Sequence, residues 1–409
     1  MENIITGLDI GTTKICAIIG RLNEFGKLEI IGVGTAPSRG LKKGIVVNIE
    51  RTMHSITKAI EEAELMAGVE VESVYTGIAG AHINSLTNRG IVAISRPSRE
   101  IKQSDVERVI ESAKAIALPP DQEIIHVIPQ EFIVDDQDGV KDPVGMSGLR
   151  LEAIVHIITG SITSIENIIK SVHRAGYEVD DIVLQPLASA ESVLTEEEKE
   201  LGVVLVDMGG GTTDVIIFIK GSVWHTGVIP LGGEYITSDI AIGLRTPQKN
   251  AEEIKKRWGC TYVPLVKDNE QVEVPGLGGR GIRKVPRKFL AEIIQPRMEE
   301  ILTLVIREIK KSGVEDLIPA GVVLTGGTSL LEGTSELAEK LLGVPVRIGY
   351  PQKVEGLTDR ISNPMYSTGV GLVMYGSKHQ SEKELFHIKE KGLFANIFKK
   401  LTNWFKENF

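Results

Sequence analysis

Cysteine is nearly absent: Cys16 and Cys260 are the only two in 409 residues, too few for a disulfide framework and consistent with a reduced, intracellular compartment. No run of about eighteen apolar residues occurs, which excludes a membrane-spanning helix. The start, Met1-Glu2-Asn3-Ile4, lacks the basic and apolar regions of a secretory signal. A G-x-x-x-x-G-K-[ST] phosphate loop is missing, and the histidines are scattered without metal-ligand spacing. Lys and Arg number 46 against 55 Asp and Glu, and the net charge of −9 argues against general nucleic-acid binding. Aromatics make up only 5%, yet Phe394, Phe398, Trp404, Phe405 and Phe409 crowd the C-terminus. The rest is ordinary globular composition, 42% hydrophobic and 25% charged. At about 100–200 residues per domain, this length calls for two to four domains.

What is present begins with an internal echo. Ile4 through Ile15 reads as a β-type run, an Asp, a Gly-Thr turn and more β-type residues; Val203 through Val215 repeats that plan. Strand, tight turn, strand is a hairpin signature, and its recurrence in the second half suggests two halves built alike. Between the hairpins, Asn48 caps a helix that Gly68 closes, and residues 71–79 read as a strand. From about 83 to 160 the texture changes to a small α+β module. Its helix opens on a capping box at Ser104-Asp105-Val106-Glu107, and its strands fall near 90–95, 123–134 and 149–157. Residues 162–175 return to helix. In the second half a strand at 222–229 precedes helices near 234–244 and 248–258, then an exposed hairpin region at 261–287. A long helix follows at 288–312, which Pro296 should kink or bound. Residues 376–391, polar and rich in Lys and Glu, read as a linker.

Three Gly-rich turns carry the chemistry. A phosphate needs converging backbone N–H groups, which glycine allows because no Cβ stands in the way. Gly11-Thr12-Thr13 and Gly209-Gly210-Gly211-Thr212 supply such amides with hydroxyl donors, and two facing turns would clamp a polyphosphate. Asp9 and Asp207 precede the turns at matching positions, where carboxylates would hold Mg²⁺ through its waters, and Lys14 adds a cation. Either turn alone would be a plain hairpin; the paired turns and paired aspartates favour the polyphosphate site. Gly326-Gly327, between a strand and a helix, lets backbone approach a flat base or ribose, or is simply a tight turn. Glu252 and Lys255, one helical turn apart, hold ribose and base or form a solvated ion pair. Gln185, before Pro186 between the halves, orients a water or serves as a structural amide. Gly276, Gly278 and Gly281 match G-x-G-x-x-G but lack the βαβ context, so they form no dinucleotide fingerprint.

The tail is amphipathic. On a helical wheel Leu393, Phe394, Ile397, Phe398, Leu401, Trp404, Phe405 and Phe409 share an arc of about 160°, with Lys399, Lys400 and Lys406 opposite. A positive, aromatic-faced helix on a negative chain fits an interfacial membrane anchor better than a helix docked on its own core.

These motifs together resemble the superfamily of actin, sugar kinases and DnaK-type chaperone ATPases. Gly7 through Lys14 resembles its first phosphate motif, Val206 through Thr213 the second, and Gly326 through Leu331 its adenosine motif. Gln185 through Ala190 and Tyr366 through Gly371 resemble the two interdomain connectors, and Ala251 through Lys255 the nucleoside-contacting helix. The inserted module and the terminal helix narrow the resemblance, over nearly the whole chain, to the FtsA family of bacterial cell-division proteins. It implies an α/β, actin-like two-lobed ATPase fold. Residues 1–82 with 161–200 would form the first lobe, 83–160 an inserted small α+β subdomain, and 201–375 the second lobe with a subdomain at 233–304. A linker at 376–391 would lead to a C-terminal amphipathic helix at 392–409. The resemblance further implies Mg²⁺ and ATP in the cleft with at most slow hydrolysis, actin-like filaments, and peripheral attachment to anionic lipid on the cytoplasmic side of the membrane at midcell. The implied partners are the FtsZ C-terminal tail and other division proteins. The cations Arg280, Arg283, Lys284, Arg287 and Lys288, or the helix beginning near Phe289, would receive that tail; a solvated basic loop is the competing reading. A pilus-assembly type of ATPase would not be expected to need its own membrane helix. A sugar kinase would need a catalytic Asp base, which nothing obvious supplies.

Overall fold

The computed structural model describes residues 4–278 and 281–383, and the terminal helix and the later part of the linker lie outside the described residues. The first sheet starts with the hairpin β1 (Ile4–Ile10) and β2 (Lys14–Leu22), followed by β3 (Leu28–Pro37). A small hairpin, β4 (Leu41–Lys42) and β5 (Ile45–Val46), leads to α1 (Ile49–Ala67). The Asn48 side chain accepts the Arg51 amide, and Gly68 ends the helix at φ 69°, a left-handed conformation that costs glycine nothing. Then β6 (Ser73–Ile78) pairs parallel with β1.

The inserted module follows: β7 (Asn84–Ala93), α2 (Gln103–Lys114), β8 (Gln122–Val134), β9 (Gln137–Val140) and β10 (Arg150–Ser161). Its strands form a separate antiparallel sheet in the order β7-β10-β8-β9, with α2 packed on β7 and β10 over an apolar core of its own. The helix starts two residues before the expected cap. Asp105, rather than Glu107, folds back to accept the Lys102 amide at 2.9 Å, and it is buried against Arg96.

The chain returns through α3 (Ile162–Arg174) and β11 (Glu178–Leu184) to α4 (Gln185–Val193) and α5 (Glu196–Leu201). A second hairpin, β12 (Val203–Met208) and β13 (Thr213–Ile219), then opens the second sheet beside β14 (Ser222–Ile229). The helices α6 (Gly233–Gly243) and α7 (Gln248–Trp258) and the hairpin β15 (Gln271–Pro275) and β16 (Ile282–Pro286) precede α8 (Arg287–Lys311). That helix runs uninterrupted through Pro296, so the proline does not bound it. Next come β17 (Val322–Thr325), α9 (Thr334–Leu342), β18 (Val346–Ile348), β19 (Glu355–Gly356), α10 (Thr358–Ile361) and α11 (Ser367–Lys383).

The echo in the sequence is an echo in topology. The first sheet is ordered β11-β6-β1-β2-β3-β19, the second β14-β13-β12-β17-β18; in each, an antiparallel hairpin meets a parallel neighbour at its first strand. Every residue of β12 and β13 is buried, which is why residues 203–206 and 215–219 read as unbroken apolar runs rather than alternating ones. The two halves are joined by α4 and α11, which pack closely because Gly371 lies against Ala188: a Cβ there would fall 1.8 Å from the Ala188 carbonyl oxygen.

The end of α11 departs from the linker reading. It stays helical to Lys383, His379 stacks on Tyr375, and Lys378 bonds Glu191 at 2.8 Å. Burial pushes the Glu191 carboxyl up, but Lys199 and Lys378 more than reverse this and lower it from 4.5 to about 2. A depressed carboxyl contributes its stability above the unfolded value and loses it as pH falls through the folded one, here worth about 3 kcal/mol. Glu191→Gln should therefore lower stability by about 3 kcal/mol at neutral pH. The gap should narrow as pH falls from 4.5 toward 2, which thermal unfolding at pH 7 and pH 3 would show.

Candidate nucleotide site

The two hairpin turns meet at the edge of a cavity of about 740 Å³ between the sheets, and both line it. Around it stand all the sequence-read residues of the cleft: Asp9, Gly11, Thr12, Thr13, Lys14, Gln185, Asp207, Gly209, Gly210, Gly211, Thr212, Glu252, Lys255, Gly326 and Gly327. Each turn is closed by the same bond, Gly11 N–H to Lys14 O at 3.0 Å and Gly209 N–H to Thr212 O at 2.9 Å. The second turn is anchored from behind. The Gly209 and Gly210 carbonyls accept the Gly233 and Glu234 amides at the start of α6, and Thr328 Oγ1 donates to Gly209 O at 2.8 Å. The turns approach so closely that a Cβ on Gly210 would meet Thr13 Cγ2 at 2.5 Å, and one on Gly211 would meet Thr12 Oγ1 at 2.4 Å.

Asp9 and Asp207 lie buried at the ends of β1 and β12. Burial pushes Asp9 up to about 6, with Lys14 opposing and Asp207 adding to the rise. Asp207 is also raised by burial, against hydrogen bonds from Ser189 (2.5 Å) on α4 and Thr368 (3.2 Å) on α11. A third carboxylate stands beside them. Asp214 pairs with Asp207 across the β12–β13 ladder, in the register position that Cys16 takes opposite Asp9. Its Oδ2 accepts from Thr212 at 3.1 Å while its Oδ1 is buried without a partner, and burial together with Asp207 lifts its pKa well above the ordinary range. Three buried carboxylates, one orphaned oxygen and a single nearby lysine make a donor set of hard oxygens short of positive charge. Hard oxygens suit Mg²⁺ by their chemistry, but among the described residues no group of three or more such side chains is placed to ligate a metal directly, so these carboxylates would hold the ion through its waters.

Lys14 donates to Met365 O at 2.6 Å and lies over the Tyr366 ring. Gln185 Nε2 donates to Asp9 Oδ1 at 3.2 Å. On the far side, Glu252 and Lys255 form an ion pair at 2.7 Å, not a solvated one: Lys255 is buried and also donates to Gly233 O and Thr237 Oγ1. Gly326 sits at φ 81°, and a Cβ there would fall 2.4 Å from Asp207 Oδ1, so glycine is required on both counts.

The basic segment does not form the open patch its composition suggests. Arg280 lies outside the described residues. Arg287 is bound by Glu270 and Glu332, Lys288 pairs with Asp268 at 3.0 Å, and Arg283 donates to Leu244 O. Lys284 stands opposite Glu273 in the β15–β16 hairpin. The acids that neutralise this run are distant in sequence or on the facing strand, where a local count does not see them.

The profile of the family described as "Cell division protein FtsA" matches residues 204–371, and that of the "SHS2 domain inserted in FTSA" matches 80–159. The FtsA protein of Pseudomonas aeruginosa is 51% identical over 99% of this chain and 98% of its own length. The chain belongs to the FtsA family of cell-division proteins. The FtsA of Neisseria meningitidis serogroup B is 45% identical, covering 100% of this chain and 99% of its own. Solved structures extend the likeness at the level of fold. A PilM–PilN type IV pilus biogenesis complex aligns at TM-score 0.66 with 17% identity, covering 91% of this chain and 98% of that one. MreB5 of Spiroplasma citri bound to ADP aligns at 0.57 with 14% identity, covering 93% and 98%. The MamK double helical filament aligns at 0.53 with 13% identity, covering 91% and 98%. The FtsA-family chain thus has the actin-like two-lobed fold with an inserted subdomain. Among its described residues no helix is long and apolar enough to cross a membrane.

Proposed function

We propose that this chain binds Mg-ATP in the cleft, polymerises on the inner face of the cytoplasmic membrane at midcell, and anchors FtsZ there. The observation that carries the nucleotide part is the pair of facing turns with three buried carboxylates around one cavity. The fold neighbours described with ADP and as a filament support nucleotide binding and self-assembly. The turn amides and the Thr12, Thr13 and Thr212 hydroxyls would bind the phosphates. Glu252 and Lys255 would hold the nucleoside over Gly326-Gly327. Asp9, Asp207 and Asp214 would hold Mg²⁺, which when bound neutralises phosphate charge. Lys14 would turn from Met365 O to the phosphates. Gln185, donating to Asp9, keeps its amide oxygen to accept from a water, and turnover is slow because a scaffold gains from retaining its nucleotide. Asp9→Asn should weaken Mg-ATP binding about 10- to 100-fold. Titration with ATP in Mg²⁺ and in EDTA checks this, the variant's loss being confined to the Mg²⁺ arm.

For FtsZ, the basic-patch reading is narrowed to the face that remains open. A groove of about 450 Å³ between α7 and the β15–β16 hairpin is lined by the apolar Ile254, Trp258 and Ile282, the cations Arg257 and Lys284, and the acids Glu253 and Glu273. Apolar walls with a balanced set of two cations and two acids suit a short, mainly apolar segment whose carboxylates meet Arg257 and Lys284, and Phe289 lies exposed at the start of α8. Reversing Arg257 and Lys284 to Glu should weaken binding of the FtsZ tail peptide at least about tenfold at low salt and flatten its salt dependence. Unchanged affinity would remove this face from the reading. Arg287 is left alone because reversing it breaks its pairs with Glu270 and Glu332. The whole proposal is tested by mixing the full chain, ATP, FtsZ and vesicles of anionic lipid. FtsZ should sediment with the vesicles only when the chain is present.

A further inference from the structure

The inserted sheet is fastened to both lobes, and a single strand makes the two attachments. The β8–β10 ladder changes register between Ile154 and Val155, leaving Gln130 as a bulge in β8. The β13–β14 ladder changes register between Ile217 and Phe218, leaving Trp224 as a bulge in β14. Bulges re-aim side chains and free backbone groups, and these two meet. Gln130 Nε2, buried, donates to the carbonyls of both Val223 and Trp224 at 3.0 Å. Two bonds beside it strengthen the joint: Ser85 Oγ to Thr226 O at 2.9 Å, and His156 Nε2 with Thr226 Oγ1 at 2.9 Å. Burial pushes His156 down to about 3, so the imidazole stays neutral and the joint does not switch near neutral pH.

Four residues earlier on β8, His126 Nε2 accepts the Leu184 amide at 3.0 Å, and both groups are buried. Leu184 ends β11, the edge strand of the first sheet, so His126 satisfies an outward N–H that no further strand pairs. The next residue is Gln185, whose side chain reaches Asp9 Oδ1. Ile125, Ile128 and Ile158 of the insertion share one buried apolar cluster with Leu184 of the first lobe and Phe218 and Val223 of the second. A stretch of about 13 Å of extended strand thus connects the two lobes at hydrogen-bonded, close-packed points.

We infer that β8 is a strut that couples the angle between the lobes to the placement of Gln185 at Asp9, with Gln130 and His126 as positioning residues. A strand bonded at both ends transmits displacement rather than absorbing it. If β14 swings with the second lobe, either the Gln130 bonds break or the Leu184 amide is pulled and Gln185 shifts on the Asp9 carboxylate. The consequence for nucleotide rests on the Mg-ATP reading above; the mechanical link does not.

The experiment uses the full chain with Gln130→Leu, which removes both bonds to β14, and with Gln130→Asn as a milder second cut, its shorter amide falling short of the two carbonyls. Amide exchange is followed in residues 183–187 without nucleotide, with 203–208 as an internal control, and release of a fluorescent mant-ATP is timed in Mg²⁺. Both variants should raise exchange in 183–187 but not in 203–208, and should speed release about fivefold or more for Gln130→Leu. A merely structural role would loosen residues 84–86 and 223–226 and leave 183–187 unmoved in both variants, and that result overturns the strut. Raised exchange at 183–187 in a chain whose parent retains no mant-ATP would uphold the strut and overturn the nucleotide reading. Should Gln130→Leu fail to fold, Gln130→Asn alone decides.

Discussion

Gly210→Val is expected to lower Mg-ATP affinity about a hundredfold or more, roughly 3 kcal/mol, in a protein that still folds. A Cβ at this position lies 2.5 Å from Thr13 Cγ2 and 2.7 Å from its Oγ1, so the valine methyls occupy the gap between the turns. Neither side retreats easily. The Gly210 carbonyl is held by the Glu234 amide, and the Thr13 carbonyl by the Ser38 amide at 3.0 Å. Thr13 and Gly210 both line the cavity rather than the apolar core, so the cost is expected to fall mainly on the ligand. Calorimetric titration and a melting curve of the same sample separate the two effects. Thr13→Ala combined with Gly210→Val should recover the melting temperature but not the binding, because the clash is relieved while the methyls remain. Binding at wild-type affinity by Gly210→Val would mean that phosphates do not pass between these turns.

The cleft was legible in the sequence because its parts repeat. Asp9 and Asp207 precede Gly/Thr turns in like contexts, and the structure places them at the ends of equivalent strands. The same symmetry argument concealed Asp214. Its counterpart in the first hairpin is Cys16, so a search for paired residues passes over it. The available signal was chemical: an aspartate inside the otherwise buried run of β13 must have a reason to be there. Ser189 and Thr368 were invisible for another reason. They reach Asp207 from α4 and α11, elements that only the closed packing of Gly371 on Ala188 brings together. The α2 cap slipped by two residues because two acids, Asp105 and Glu107, compete for one role, and burial against Arg96 favours Asp105.

Charge was the least transferable signal. The cations at 283–288 were counted as a patch, and long-range partners then paired Arg287 and Lys288. The polar stretch from residue 376 reads as linker, yet Lys378 closes an ion pair with half-buried Glu191 that also holds Lys199. Composition gives the number of charges on a segment, while their effect depends on which opposite charges the fold delivers to them. The residues picked out by glycines and backbone geometry line one cavity, whereas Arg287 and Lys288, picked out by net charge, are met by separate acids.

Deleting residues 392–409 should abolish binding to anionic vesicles while leaving nucleotide affinity unchanged. A buried Phe or Leu contributes about 1.5–3 kcal/mol when fully desolvated, and an interfacial helix buries each side chain only in part. Lys399, Lys400 and Lys406 add roughly 1 kcal/mol each near an anionic leaflet, screened by salt. Against this stands the ordering of the segment at about 1–2 kcal/mol per backbone residue, offset by helix hydrogen bonds. One tail therefore holds weakly and reversibly. A filament presents many tails on one surface, and avidity can raise the apparent affinity by about 10²–10⁴-fold with no new contact. On the proposed function, polymerisation would then act as the switch for attachment, with nucleotide in the cleft biasing it. Phe398→Glu or Trp404→Glu should approach the effect of the deletion, because a charge on the apolar arc forfeits burial on both sides of it. Sedimentation with vesicles of phosphatidylglycerol and phosphatidylethanolamine measures all three variants. The decisive comparison uses an assembly-defective chain whose tail is intact. Weak, salt-sensitive binding by that chain supports the avidity mechanism, and binding as tight as the parent's would show that a single helix suffices and that polymerisation does not control attachment.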